Sequence, residues 1–398
     1  MRPSVLSVGG RAVLASALLA LASCGGGSST DAGGVGTLRV ALTDSPACGY
    51  DAVNVTIEKI RVHQSASATD TDAGWTDLAV TPSRRIDLLT LTNGVLEELG
   101  QTLLPAGHYT QMRLLLAGNG GSGAPANSVV PTGGDEVALT TPSAQQTGLK
   151  FNVDITVGAN QIADVVLDFD ACKSVVRRGS SGQYNLMPVI AVIPRVIDVG
   201  RIEGFVDPSI AAATTVSAQT GGAPVKATPA DPATGKFVLF PVPVGTYTVM
   251  LVNPTRATAA VTGVPVVTAA PSVLGAASAP LLPPAAASAP RVVTGTVTTT
   301  PPATAFVRAV QTVATTPAPT DIEVAWTAAD DLSGAFSLSL PIAAPVWAPF
   351  APSPAVITFG ADPAHAGLYT LQAGSGGATK TQAIDVKAAV PPLSFTFP

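Results

Sequence analysis

The three histidines are the first candidates for catalysis, because a hydrolase needs a nucleophile, a base and a group that orients the base. His63 ends a predicted strand, His108 lies in the turn sequence PAGHY, and His365 lies in a loop near the C-terminus. The sequence contains no G-x-S-x-G, H-E-x-x-H or G-x-x-x-x-G-K-[ST] motif. We therefore expect turn or surface roles for the histidines and predict that the protein is not an enzyme, with no catalytic residue and no cofactor.

Three aspartates of the predicted strand DVVLDFD could offer carboxylate oxygens to a calcium ion. By alternation Asp164, Asp168 and Asp170 spread over about 20 Å of one strand face, at roughly 3.3 Å per residue. No glycine-turned loop gathers them. We therefore predict no metal site.

The tryptophans raise the question of carbohydrate binding, because exposed aromatic rings stack on sugar faces. Trp75, Trp326 and Trp347 are the only tryptophans in 398 residues, and such residues more often fill cores or interfaces. Carbohydrate binding stays open as an alternative. It predicts at least two aromatic rings exposed on one face.

The composition indicates strands rather than helices. Hydrophobic residues make up 46% of the chain and charged residues 12%, with 38 Gly and 35 Pro among runs of Val and Thr. Short strands joined by turns are therefore expected, and the length predicts two or three domains. The formal net charge is −5 and no block of Lys or Arg stands out, which argues against a nucleic-acid partner.

The N-terminus has the pattern of an export signal. Arg2 and Arg11 flank a short apolar run, AVLASALLALA, that is too short to span a bilayer. The run ends in LASC, which resembles the lipobox of bacterial lipoproteins. That resemblance implies cleavage after residue 23, attachment of diacylglycerol, with palmitate among its acyl chains, to Cys24, and a membrane anchor. Gly25 in place of aspartate favours the outer membrane of a Gram-negative cell envelope, and residues 24–35 read as a flexible tether. The alternative is an ordinary signal peptide with an incidental cysteine.

Two further cysteines, Cys48 and Cys172, remain in the predicted mature protein. An exported chain meets an oxidising compartment, so we predict a disulfide between them. In the chain-entropy treatment such a bond stabilises by roughly 4 to 5 kcal/mol. Two separate buried thiols are the alternative.

Residues 36–199 alternate with the period of half-buried strands, most clearly in LKFNVDITV. In VNVTIEKIRVHQ the apolar phase shifts after Ile57, which predicts a β-bulge at Glu58 and Lys59. The segment TNGVLEELGQTLL has apolar residues at helical spacing and predicts a short helix that stops at Gly100. The turn-rich segment 117–134 predicts a long mobile loop.

This region resembles DUF4382, a domain of unknown function found in bacterial and archaeal lipoproteins. The resemblance rests on GTLRVALTDSPACGYDAVNVTIEKIRVH, LLPAGHYTQMRLLL and ADVVLDFDACKSVV with YNLMPVI. It implies a β-sandwich and no particular activity.

Residues 200–267 carry a second pattern, GRIEGFVDP followed by GKFVLFPVPVGTYTVMLV. It resembles the carboxypeptidase regulatory-like or prealbumin-like modules, which implies a small seven-strand sandwich. Residues 268–290 are rich in Pro and Ala and read as a linker.

In residues 291–398 the phrases VVTGTV, SGAFSLSLP and GLYTLQAGSGG echo the pattern of residues 200–267. They predict a second, divergent sandwich, which is interrupted by the insertion IAAPVWAPFAPSPAVITFGADPAHA.

The overall prediction is an all-β protein of tandem β-sandwich domains, Ig-like or prealbumin-like, behind a lipoprotein signal peptide. Its expected function is non-catalytic: a lipid-anchored envelope protein that binds or spaces an envelope protein or glycan. A carbohydrate- or peptide-binding surface module is the alternative, and an enzyme with an unrecognised site is the third possibility.

Overall fold

Alternating apolar residues build three β-sandwiches in tandem, as the composition predicts. The computed structural model describes residues 34–44, 49–120, 123–141, 147–195 and 198–398. The predicted signal peptide, the lipid-attachment residue Cys24 and Cys48 lie outside the described residues. Among the described residues, no helix has both the length and the apolar character needed to cross a membrane.

The first sandwich packs its core between two sheets, with strand orders β12-β9-β1-β4 and β10-β11-β7-β6-β2-β5-β8, and with β3 also paired to β2. A 3-10 helix, Leu88–Leu91, precedes β4. Its strands and single α-helix are β1 (Val35–Asp44), β2 (Tyr50–His63), β3 (Thr76–Asp87), β4 (Glu97–Pro105), β5 (Gly107–Leu116), β6 (Ser128–Pro131), β7 (Val137–Thr140), β8 (Leu149–Val157), β9 (Ile162–Phe169), α1 (Ala171–Ser174), β10 (Val175–Arg177), β11 (Tyr184–Leu186) and β12 (Ile190–Pro194).

The second sandwich has a sheet of order β16-β13-β19 and a larger sheet that begins β15-β14-β17-β18. Its elements are β13 (Val199–Phe205), α2 (Pro208–Ala211), β14 (Thr215–Thr220), β15 (Ala223–Pro229), β16 (Lys236–Pro243), β17 (Gly245–Val252), β18 (Ala259–Val266) and β19 (Ser272–Leu274).

The third sandwich repeats this arrangement with the orders β23-β20-β28 and β22-β21-β26-β27. A 3-10 helix, Pro363–His365, precedes β26. Its strands are β20 (Arg291–Thr299), β21 (Ala305–Val313), β22 (Thr320–Ala328), β23 (Ala335–Leu340), β24 (Val346–Pro349), β25 (Gly360–Ala361), β26 (Leu368–Ser375), β27 (Ala378–Asp385) and β28 (Leu393–Phe397).

All three sandwiches share one seven-strand topology. The strand set β1, β2, β3, β4, β5, β8, β9 pairs in the same order as β13 to β19, including a parallel pair between the first and last strands. The third sandwich has the same parallel pair between β20 and β28. The first sandwich differs by adding β6 and β7 between β5 and β8, and β10 to β12 after β9.

A glycine opposite a phenylalanine explains the repeated phrases of the second and third sandwiches. Gly204 pairs with Phe237, and Gly295 pairs with Phe336. A Cβ at either glycine would lie 2.3 Å from a backbone carbonyl and 2.6 Å from the paired ring. Packing therefore requires the glycine in each repeated phrase, because no side chain fits at its position.

A buried tyrosine closes an equivalent corner in each sandwich. The hydroxyl of Tyr109 donates to the carbonyl of Pro105 at 3.0 Å, and that of Tyr247 donates to Pro243 at 2.8 Å. In the third sandwich the hydroxyl of Tyr369 donates to Pro341 at 2.7 Å. In all three sandwiches the tyrosine hydroxyl therefore bonds to a proline carbonyl of the backbone.

The insertion of the third sandwich separates Pro341 from Tyr369 and reaches back to the second sandwich. Its strand β24 pairs in parallel with β18, β25 pairs with β24, and together they extend the larger sheet of the second sandwich. Val346, which is 3% exposed, packs in the core of the second sandwich. Residues 34–398 therefore form one compact unit.

Four local predictions can be compared with the fold. The bulge at Glu58 and Lys59 is confirmed by a register shift between Ile57 and Lys59 against both β3 and β5. The predicted helix is wrong, because residues 97–104 of that segment belong to β4. The register of β4 against β1 shifts at Leu99, and both Leu99 and Leu104 are buried. Part of the predicted loop 117–134 is strand β6, paired with β2. The predicted linker 268–290 contains β19, which completes the second sandwich.

Candidate binding cleft

A cleft of about 1280 Å³ opens where the three sandwiches meet. Among the strands that line it are β10 of the first sandwich, β15 of the second and β22 of the third. Each is the end strand of its sheet among the described residues. End strands leave backbone N–H and C=O groups without a ladder partner on one side, so the cleft gathers three such edges.

A buried ion pair joins the first and second sandwiches beside the cleft. Lys226, on β15, is 2% exposed, and its Nζ lies 2.6 Å from Oδ1 of Asp168 on β9. The same Nζ donates to the backbone carbonyl of Asp44 at 3.0 Å. The lysine therefore crosses from one sandwich into an acidic pocket of the other.

The acidic pocket holds two carboxyl groups whose pKa is raised by burial. Burial raises the pKa of Asp44 well above its usual value, although the N–H of Ala171 donates to its Oδ1 at 2.9 Å. Its Oδ2 is buried without a hydrogen-bond partner in the described part of the chain. Burial also raises the pKa of Asp170, against the opposing effect of Lys173.

A glutamine and a glutamate join the second and third sandwiches. Gln219 donates from Nε2 to the carbonyl of Glu323 at 2.9 Å, and its Oε1 accepts from the Glu323 N–H at 2.8 Å. The Glu323 carboxylate accepts from Arg308 at 3.2 Å. Burial raises the pKa of Glu323, and the cations Lys173 and Arg308 oppose that rise.

The first and third sandwiches meet through short polar contacts. Asp331 donates its N–H to the carbonyl of Arg177, and its carboxylate accepts from the side-chain amide of Asn185 at 2.8 Å. Oδ2 of Asp330 accepts the N–H of Gly179 at 2.6 Å. Each pair of sandwiches is thus joined by polar contacts beside the cleft.

Trp326 lines the cleft, and its ring is partly covered by neighbouring side chains. It stacks on Phe306 with ring centroids 5.9 Å apart, and Nζ of Lys173 lies 5.7 Å from its centroid. Trp75 lies elsewhere, with Arg61 and Arg113 each 4.9 Å from its ring. Trp347 packs against the core of the third sandwich. The tryptophans are therefore dispersed rather than gathered on one face.

The histidines and the remaining candidate metal ligands lie apart from one another. His63 bonds the carbonyl of Ala73 at 2.9 Å, while His108 and His365 each lie 2.7 Å from a carboxylate. Among the aspartates considered for calcium, Asp164 pairs with Arg39 and Arg195, Asp168 pairs with Lys226, and Asp170 caps α1. No group of three potential metal ligands occurs in the described ranges.

Cys172 lies on α1 and lines the cleft. Its predicted disulfide partner, Cys48, lies outside the described residues. The pairing with Cys48 stays a prediction.

Sequence reasoning missed Lys226, Gln219 and Glu323, because their partners lie more than 50 residues away along the chain. One signal was present for the lysine. It stands in the sequence APVKATP with no neighbouring acid, so a buried position would require a distant carboxylate.

The fold and the cleft define a class: a tandem β-sandwich protein with a cleft among its domains. Residues 35–188 match the family model of DUF4382, a domain of unknown function, so the first sandwich is this domain. A search of curated proteins gives no match to the sequence.

Two solved structures are similar at low identity. A streptococcal ancillary pilin is 9% identical, with 90% of this chain and 97% of that chain covered and a TM-score of 0.17. The pilus adhesin SpaC of Lactobacillus rhamnosus GG is 8% identical, with 90% and 41% covered and a TM-score of 0.12. Likenesses at these TM-scores carry no functional argument.

Proposed function

We propose that the protein is a non-catalytic, lipid-anchored protein of the bacterial cell envelope that binds an extended peptide of another envelope protein in the cleft. The observation that carries the proposal is the convergence of three strand edges, β10, β15 and β22, on one cavity. An extended peptide can add to such an edge through its own backbone groups. Side chains around the edge then select its sequence.

The chemistry of the cleft favours a peptide over a carbohydrate. Sugar binding by stacking needs free aromatic faces, whereas Trp326 is flanked by Phe306 and Lys173. Apolar residues such as Val225 and Met250 alternate around the cleft with charged ones such as Arg177. That mixture suits the side chains of a peptide.

The anchor is proposed from the sequence LASC, which resembles a lipobox, and from Gly25, which favours the outer membrane. The glycine and tyrosine phrases of the second and third sandwiches support their assignment as carboxypeptidase regulatory-like modules. We further propose Cys48 as the disulfide partner of Cys172, which would fasten the chain beside the cleft.

Peptide binding is tested by filling the cleft. Ala227, on β15, lines it and is half-buried, so Ala227→Trp places a ring along one edge. The matched control is Ala383→Trp on β27, an exposed end strand outside the cleft. We expect peptides selected from a random display library on the native protein to bind Ala227→Trp at least tenfold more weakly and the control unchanged. Selection of no peptide, or equal binding by both variants, contradicts the proposal, and binding on a glycan array favours the carbohydrate alternative.

The anchor is tested separately by fractionation. Cys24→Ala should leave the protein folded but move it from the membrane fraction to the soluble fraction. Retention of that variant in membranes contradicts lipid attachment at Cys24 without bearing on the cleft.

A further inference from the structure

One end of the first sandwich carries an exposed apolar row on the outer face of its smaller sheet. Thr37 on β1 pairs with Leu103 on β4 and with Ile162 on β9. Leu103 is 67% exposed and Ile162 is 55% exposed. Val35, two residues before Thr37 and so on the same face, is 48% exposed. The row therefore presents three large aliphatic side chains to the surroundings.

The loops around this row contain no charged residue. Residues 105–107 read Pro-Ala-Gly and residues 158–161 read Gly-Ala-Asn-Gln. Both loops are held against the start of β1, since the N–H of Ala106 donates to Gly34 at 2.6 Å and the N–H of Asn160 donates to Val35 at 2.8 Å. We call Val35, Leu103, Ile162 and these two loops the N-terminal tip.

Charges nearest the N-terminal tip already have partners. Asp164, one row further along the sheet, bonds Arg39 and Arg195. Nε2 of His108 lies 2.7 Å from Oδ1 of Asp154. An apolar partner can therefore cover the tip without leaving a nearby charge unpaired.

The tip also lies at the end of β1 nearest to Cys24 along the chain. Residues 25–33 separate Cys24 from Gly34, and such a segment spans at most about 35 Å when fully extended. At the other end of β1, Asp44 contacts Lys226 of the second sandwich. The second sandwich thus contacts β1 at its far end and leaves the tip free.

We propose that the N-terminal tip docks on the surface of the lipid bilayer, with Val35, Leu103 and Ile162 entering the headgroup region. The proposal rests on the lipid anchor at Cys24, which would hold the tip close to the membrane. Anchoring makes docking an intramolecular event, so a patch of three aliphatic side chains suffices where it would not hold a free protein. Because the tip is uncharged, docking requires no anionic lipid.

The test measures amide hydrogen exchange of the lipidated full-length mature protein in phosphatidylcholine vesicles. The reference is the Cys24→Ala variant without vesicles. We expect exchange in the loops 105–107 and 158–161 to slow at least threefold on vesicles, with no change in the exposed strand β27. The double variant Leu103→Asp and Ile162→Asp should float with vesicles as before but lose this protection. The control Val356→Asp, at a position 71% exposed outside the tip, should keep it.

A second arm separates docking from anchoring. The mature Cys24→Ala chain, with an N-terminal hexahistidine held on nickel-chelating lipid in the same vesicles, is tethered whether or not Cys24 is lipidated. Slower exchange in the tip loops supports docking in either arm. Unchanged tip exchange in a vesicle-bound protein overturns docking, and failure of the full-length protein to float overturns the anchor alone.

Discussion

The second sandwich is joined to the third by a shared β-sheet and to the first by a buried ion pair. At one junction β24 continues the sheet of the second sandwich and inserts Val346 into its core. At the other, Lys226 enters an acidic pocket that contains Asp168 and Asp44. Backbone pairing and apolar burial depend little on pH, whereas the ion pair depends on which groups are protonated. The two junctions should therefore respond differently to the same perturbation.

The largest expected effect comes from breaking the strand junction. Val346→Asp places a carboxylate in the apolar core of the second sandwich and should lower the free energy of unfolding by roughly 3 kcal/mol or more. Urea denaturation measures the loss. Hydrogen exchange should locate it in the second sandwich, although the residue belongs to the insertion of the third.

Val356→Asp is the matched control, because Val356 lies in the same insertion but is 71% exposed. It should change stability by no more than about 0.5 kcal/mol. A similar loss in both variants would mean that β24 does not support the second sandwich.

Breaking the charged junction should have an effect of similar or slightly smaller size. Lys226→Met leaves Asp168 buried without its cation, and removal of one partner of a buried pair typically costs about 3 kcal/mol. The control Lys236→Met removes a lysine that is 48% exposed and 4.0 Å from Glu203, and should cost less than about 0.5 kcal/mol. Equal unfolding curves for the two variants would argue that the pair does not hold the junction.

The pH dependence of this junction sharpens the comparison. Because burial raises the pKa of Asp44, the folded protein binds that proton more tightly than the unfolded chain does. The resulting stabilisation is present at low pH and is lost as the pH rises through the folded pKa. Asp44→Asn mimics the protonated acid at every pH, so its melting temperature should gain on the native protein as the pH rises from about 4.5 to 8.

The control for this series is Asp135→Asn, at an exposed position of the same sandwich. The difference in melting temperature between Asp135→Asn and the native protein should stay constant across that pH range. If the melting temperatures of Asp44→Asn and the native protein changed in parallel with pH, that result would contradict a raised pKa of Asp44 in the folded state.

The smallest expected effect concerns the tyrosine corner of the third sandwich, where the insertion separates Pro341 from Tyr369 along the chain. Tyr369→Phe removes a hydrogen bond to Pro341 within a buried site, and Tyr247→Phe removes the equivalent bond in a partly buried one. We expect losses of about 1 to 1.5 kcal/mol and about 0.5 to 1 kcal/mol, respectively. If urea unfolding showed a larger loss of stability for Tyr247→Phe than for Tyr369→Phe, the insertion would have weakened the tyrosine corner of the third sandwich.

Local patterns predicted those features that depend on neighbouring residues. Alternation identified strands such as β8, and the phase shift in β2 located the bulge beside Ile57. The echo between GRIEGFVDP and VVTGTV indicated that two sandwiches repeat, and the structure shows the same steric demand at Gly204 and Gly295 in these phrases.

The features that depend on distant contacts could not be predicted. Nothing in VWAP indicates that β24 completes the sheet of another sandwich, and Lys226 gives no sign of which carboxylate it meets. The kinship of the first sandwich was hidden because Gly100 lies on β4 and pairs with Val40 on β1, whereas in the second sandwich Gly204 lies on β13 and pairs with Phe237. The phrase PAGHY, which matches PVGTY around the buried tyrosines, was the available signal.

The insertion between Pro341 and Tyr369 gives the row of sandwiches a direction. It belongs to the third sandwich, but its strand β24 pairs with the end strand β18 of the sandwich that precedes it in the chain. The corresponding strand of the third sandwich, β27, is the end strand of its sheet in the described part of the chain and carries polar side chains, among them Lys380. A further sandwich could close β27 in the same way only if it carried a similar inserted segment and if apolar side chains replaced the polar surface of β27.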